Sequence, residues 1–193
     1  MFFKKDNKMD IELCKAEIKR HEGEVLEIYM DSLGYKTLGV GHLCQPNDPE
    51  YDWEVGTKVS QEVVDMYYED DFEKHHREAI HVFGSEEDFE KLPEVIQRVL
   101  VNMCFNLGGS RLSKFRNMLK ACREHNWTKM AIEMEDSRWY KQVGRRSIEL
   151  QKMVLGAWNE ERIKKIGRAH VWTQGTKWYS MTSCAWEKQY KKK

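Results

Sequence analysis

The chain has 193 residues, of which 40% are hydrophobic and 33% charged, and its basic and acidic side chains balance to a net charge of zero. This is the composition of a folded globular protein and excludes an extended disordered one, and the length suits one domain or two small lobes around a shared helix. No run of about 18 apolar residues occurs, so no helical membrane span is expected.

The segment MFFKKDNKMD at the start is charged and lacks the apolar core of a secretory signal, so the expected location is the cytoplasm of the producing cell until release or export by another route. Cys14, Cys44, Cys104, Cys122 and Cys184 are odd in number, scattered, and form no CxxC pair. Buried thiols are expected there, not a zinc site or a disulfide framework. The charges are segregated. Residues 1–95 hold 11 Lys and Arg against 24 Asp and Glu, so only the later part of the chain is suited to attract an anionic polymer.

In chain order, residues 10–22 read as a first helix, capped by Asp10 and stopped at Gly23. Ile11, Cys14 and Ile18 share one face, and Glu22 continues it. A carboxyl group at the end of a buried stripe is partly desolvated, which favours the protonated form that a proton donor needs. Residues 25–42, LEIYMDSLGYKTLGVGH and its neighbours, read as a small antiparallel hairpin with a glycine turn; if Asp31 lies across the turn from Thr37, both border one small space. Residues 44–59 carry Pro46, Pro49 and Gly56 and read as loop.

A long helix is predicted from about Ser60 to Val82, with Val64, Tyr67, Tyr68, Phe72, Ala79 and Ile80 on one face. Its histidines, His75, His76 and His81, show no matching ligand set in the sequence and are expected to be solvated. The next helix, LPEVIQRVLVNMCFNLGG, is apolar almost all round and is expected to be central. Helices near 112–123, 127–135 and 146–160 are expected to wrap it, with Trp127, Trp139, Tyr140 and Trp158 closing the core. The predicted fold class is α+β and mainly helical. A hairpin lobe (about 23–60) and a helical lobe (about 88–163, plus helix 10–22) are joined by the helix 60–82, with a cleft between them.

The segment IKRHEGEVLEIYMDSLGYKTLGVGHL, residues 18–43, resembles the active-site segment of the phage-type lysozymes (glycoside hydrolase family 24). Its frame is Glu-Gly, then Tyr-x-Asp, then Gly-Tyr-x-Thr-x-Gly-x-Gly-His. Residues 98–108, 115–119 and 136–147 resemble later segments of the same family, in order, so the likeness covers about residues 10–160. The resemblance implies hydrolysis of the β-1,4 bond between N-acetylmuramic acid and N-acetylglucosamine in bacterial peptidoglycan. It implies Glu22 as general acid, with Asp31 and Thr37 positioning the attacking water, most simply by inversion. It further implies substrate contacts at Leu43 and Phe105, and supporting roles for His42 and for Arg146, with Arg145 a competitor for the last. Two other family contact positions fall on Met118 and Glu133, which depart from the family pattern.

No cofactor, metal or nucleic-acid partner is expected, and the enzyme is expected to act as a monomer. The alternatives are a lytic transglycosylase, which forms an anhydro-sugar without water, and a non-catalytic wall-binding module. Residues 164–193 lie outside the resemblance and are expected to be disordered or non-native.

Overall fold

The computed structural model describes residues 8–157. The expected tail and Trp158 lie outside them. The described residues fall within one compact unit, and their buried apolar side chains form one continuous cluster. The element order is α1 (Ile11–Glu22), β1 (Val25–Met30), β2 (Lys36–Gly39), β3 (His42–Leu43), α2 (Gln61–Phe83), α3 (Glu86–Glu90), α4 (Glu94–Leu107), α5 (Gly109–Leu112), α6 (Arg116–Arg123), α7 (Trp127–Glu135) and α8 (Arg138–Val143). A ninth helix, α9, runs through residues 145–157. The fold is α+β and mainly helical, as the pattern of the sequence predicts.

The helix starts follow from local chemistry. Asp10, Ser60, Ser85, Asn126 and Ser137 each accept a hydrogen bond from a backbone N–H in the first turn of the helix that follows, satisfying a donor that no helical carbonyl reaches. The three strands form one antiparallel sheet in the order β1-β2-β3. The hairpin foreseen in the sequence thus carries a third short strand. The loop 44–59 returns along the other edge of β1, where Ile28 N–H donates to Thr57 O (2.9 Å) and Val59 N–H to Leu26 O (3.1 Å).

Helix α2 is the connecting element. Its N-terminal half meets β2 and β3, and its C-terminal half meets α3, α4 and α5. At the sheet end Gly39 lies against Val64, where a Cβ on the glycine would fall 2.9 Å from Val64 Cγ1. His42 stacks on Tyr67 with ring centroids 4.1 Å apart. At the other end Phe83 packs edge-on against Phe89 of α3. Helix α4 buries every residue from Ile96 to Cys104, and each fully buried Ile, Val or Leu contributes about 1.5–3 kcal/mol. Helices α1, α2, α3 and α5 pack against it.

Three expectations need correction. The segment 112–123 is not one helix: α5 ends at Leu112, a turn follows, and α6 starts at Arg116. The turn lets Phe115 reach Trp139, with ring centroids 6.2 Å apart. Helices α3 and α8 were not foreseen, since five or six residues are too short to display a helical period. Of the histidines on α2, only His81 is exposed, while His75 and His76 are half-buried.

Candidate active site

Helix α1 buries Cys14 and Ile18 completely against α4. Glu22 ends the same face, and Gly23 (φ +79°) stops the helix immediately after it. The side chain of Glu22 is 23% exposed and Oε1 accepts from Arg146 Nη1 on α9. Arg146, at 6% exposure, is buried and reaches Glu22, whereas Arg145 is exposed. The pairing of Arg146 with Glu22 that the resemblance implies is thus present in the fold.

Arg146 is itself held by Asn102, the fully buried asparagine of α4. Its Nε donates to Asn102 Oδ1 (2.8 Å) and its Nη2 to Asn102 O (2.8 Å). Asn102 Nδ2 lies 3.2 Å from His21 Nδ1, and His21 Nε2 lies 3.2 Å from Glu149 Oε2. One assignment satisfies every bond: Asn102 donates to Nδ1, and His21 carries its hydrogen on Nε2 and donates to Glu149. Arg20 closes the chain with two contacts to the Glu149 carboxylate. The hydrogen bond from Arg20 pulls the Glu149 carboxyl down to about 2, against partial burial and with help from His21. A continuous polar chain therefore runs from Glu22 to Arg20 through the helices α4 and α9.

Asp31 occupies the turn between β1 and β2. Its N–H donates to Tyr35 O (2.9 Å), and its Oδ1 accepts from the N–H groups of Leu33 and Tyr35 (both 2.8 Å). Asp31 therefore stands opposite Tyr35, and Thr37 pairs with Tyr29, two residues further along the ladder. Asp31 thus does not stand directly across from Thr37, because the turn incorporates Asp31 itself. Thr37 is 4% exposed and its Oγ1 donates to Tyr35 O (3.1 Å).

Tyr29 on β1 is half-buried. Burial, then the negative charges of Asp31 and of Glu22, push its phenol above the usual range. Both carboxylates therefore act on one side chain of β1.

Leu43 pairs with Thr37 across β2 and β3 and is 43% exposed. It lines a recess of about 370 Å³ with Met30, Tyr35, Lys36 and Tyr51. Phe105 sits one turn beyond Asn102 on α4, half-buried, with its ring edge-on to Tyr68 and to His75. Met118 and Glu133 border a second recess of about 460 Å³, together with Phe115 and Asn117.

His42 lies between two other carboxylates, with Nδ1 2.8 Å from Asp71 Oδ2 on α2 and Nε2 3.1 Å from Asp48 Oδ2. Burial alone would lower its pKa, but the hydrogen bonds and charges of Asp71 and Asp48 outweigh that and raise it. These contacts fasten β3 to α2.

Residues 19–154 match the family model for phage lysozyme. The chain belongs to the phage lysozyme family. It is 32% identical over 149 residues to probable T4-type lysozyme 2 of Dictyostelium discoideum, covering 69% of this chain and 88% of that one. Probable T4-type lysozyme 1 of the same organism is 30% identical over the same span. The pre-baseplate central spike protein Gp5 of Enterobacteria phage T4 is 27% identical over 154 residues, which cover 72% of this chain and 27% of that protein. Membership makes this chain a lysozyme-type glycosidase with peptidoglycan as its substrate class. Among the described residues, no helix is long and apolar enough to cross a membrane.

Sequence reasoning missed Tyr29, His21, Asn102 and Glu149. Asn102 did leave a signal. It is a lone amide within the apolar run RVLVNMCF, and a polar group at such a position must find a buried partner.

Proposed function

We propose that this lysozyme-family chain cleaves the β-1,4 bond between N-acetylmuramic acid and N-acetylglucosamine by hydrolysis with inversion, with Glu22 as general acid and with Asp31 and Thr37 holding the water. The observation that carries this reading is the buried Arg146, held by Asn102, that reaches the Glu22 carboxylate in a chain whose residues 19–154 match the phage lysozyme family. A glycosidase needs two carboxyl groups flanking one bond, about 6.5–9.5 Å apart when a water must fit between the sugar and the base.

Protonated Glu22 gives its proton to the glycosidic oxygen as the bond from C1 to that oxygen breaks. The hydrogen-bonded chain behind Arg146 fixes where that carboxyl stands. On the opposite face of the sugar a water attacks C1. The hydrogen of Thr37 Oγ1 is committed to Tyr35 O, so its lone pairs are left to accept from that water. Asp31 Oδ1 is committed to two backbone donors, so Oδ2 accepts the second water hydrogen and finally takes the proton. With both hydrogens held, a lone pair of the water points at C1. Leu43 and Phe105 supply apolar contacts to the sugars, and the enzyme acts as a monomer.

The test is digestion of purified peptidoglycan by the wild type and by Glu22→Gln, with mass spectrometry of the products and NMR of the first anomer released. Reducing muramic ends of α configuration are expected, together with a loss of about 10²–10⁴-fold in the variant. Anhydro-muramic ends would replace this reading with transglycosylation. Near-normal turnover by Glu22→Gln would remove the assignment of the acid.

A further inference from the structure

Helices α2 and α4 bring three chemically different donors to one point, about a turn of α4 from the polar chain of the candidate site. His75 and Glu78 are spaced three residues apart on α2, and Cys104 comes from α4. His75 Nδ1 is 3.1 Å from Glu78 Oε2, Cys104 Sγ is 3.8 Å from the same oxygen, and the three donor atoms all lie within 4.8 Å of one another. Gly109 N–H also donates to Glu78 Oε2 (2.9 Å). The absence of a side chain on Gly109 permits this approach, since a Cβ there would lie 3.1 Å from Glu78 Cβ. Cys104 is fully buried, while the side chains of His75 and Glu78 are 17% and 36% exposed.

We propose that His75, Glu78 and Cys104 form a binding site for a zinc-class divalent ion, separate from the glycosidase chemistry. Tetrahedral zinc with ordinary bond lengths requires N···O near about 3.3 Å and S···O near about 3.6 Å, against the 3.1 and 3.8 Å observed. Two edges of the tetrahedron are therefore already formed. The edge from Nδ1 to Sγ, required at about 3.5 Å, closes by small side-chain rotations from within its 4.8 Å limit.

The donor set selects the metal. Thiolate and imidazole suit zinc-class ions, whereas calcium and magnesium demand oxygen ligands. On binding, the ion takes the three donor atoms: the thiol proton and the Nδ1 hydrogen that His75 gives to Glu78 leave to solvent, and the neutral imidazole carries its hydrogen on Nε2. Glu78 Oε2 retains the Gly109 N–H as a supporting donor that orients it. Three protein ligands leave a fourth position open on the exposed side of His75 and Glu78. The ion would clamp α2 to α4 beside Phe105, whose ring already meets His75 with centroids 5.1 Å apart.

The experiment titrates metal-free full-length protein with Co²⁺ in a non-chelating phosphine reductant, followed by competition with Zn²⁺. The proposal expects one equivalent of Co²⁺ to give a thiolate charge-transfer band that Zn²⁺ abolishes, and expects Zn²⁺ to raise the thermal midpoint. His75→Asn and Glu78→Gln, both at half-exposed positions, should each weaken binding by more than the roughly 10–100-fold that loss of a supporting partner costs. Cys104→Ala should remove the band. A wild-type titration without the charge-transfer band would overturn the proposal. So would a band that survives unchanged in His75→Asn and Glu78→Gln, because the ion would then be held elsewhere. The half-exposed pair keeps the test decisive if Cys104→Ala, at a buried position, fails to fold.

Discussion

Asn102→Ala removes the side chain that joins both halves of the polar chain. In the wild type its Oδ1 accepts from Arg146 Nε and its Nδ2 faces His21, at a residue with 0% exposure. The backbone carbonyl of residue 102 stays in place, so Arg146 Nη2 keeps its bond (2.8 Å). Arg146 Nε, in a residue 6% exposed, loses its acceptor, which costs about 1–3 kcal/mol for a buried donor. His21 keeps Glu149 but loses the donor to its buried Nδ1, a further cost within the same range. Loss of the amide atoms leaves a small void, bringing the total to about 2–4 kcal/mol. For a domain of this size each kcal/mol lowers the thermal midpoint by about 2–4 °C, so a drop of about 10 °C is expected.

Turnover should fall by about tenfold or more, since a guanidinium held by one bond places Glu22 less sharply. Thermal or urea unfolding gives the first quantity, and release of reducing ends from peptidoglycan at a temperature where both proteins are folded gives the second. A variant with the midpoint lowered and turnover per folded molecule unchanged would refute the claim that Asn102 positions Glu22 through Arg146. A midpoint shift below about 2 °C would refute the energetic reasoning.

Asp31→Asn retains an Oδ1 for the two turn N–H groups, so stability should change by less than about 1 kcal/mol while turnover falls about 10²–10⁴-fold; parallel melts and digests check this. His42 has a raised pKa in the folded state, so its contribution to stability is complete below its unfolded value of about 6.5 and is lost as pH rises through the higher folded value. The stability gap between the wild type and His42→Asn in urea should therefore be largest at pH 5 and narrow toward pH 9. Gly39→Ala combines a strained φ of +61° with a Cβ 2.9 Å from Val64 Cγ1, and urea unfolding should show a loss of about 2–4 kcal/mol.

The long elements were legible because their periods repeat. Helix α2 begins within a residue of the predicted Ser60 cap, and all but Ile80 of its predicted stripe is fully buried. The uniform apolarity of α4 announced its central place. The candidate site was legible only on its sequence-local side. Glu22, Asp31 and Thr37 lie within 16 residues and share one motif. Arg146 pairs with Glu22 across 124 positions, and no local pattern distinguishes it from Arg145. Whether Asp31 lies across from Thr37 was left open by the sequence, because a carboxylate that caps its own turn is no longer a strand residue. The donor set on α2 was invisible for a related reason: its i, i+3 pair lacks a third ligand until the fold delivers Cys104.

The contact between Glu22 and Arg146 also bears on how the enzyme is born. It joins the first helix to α9, with His21 and Arg20 reaching Glu149 across almost the same span. A ribosome finishes α1, the sheet and α2 long before residue 146 exists. Until then the Glu22 carboxyl has no guanidinium beside it, and α1 has no α9 to dock with. Closing so long a loop is slow compared with forming local helices. Nascent or prematurely ended chains that stop short of residue 146 therefore carry the whole Glu22–Thr37 motif without the guanidinium that the finished fold sets beside Glu22.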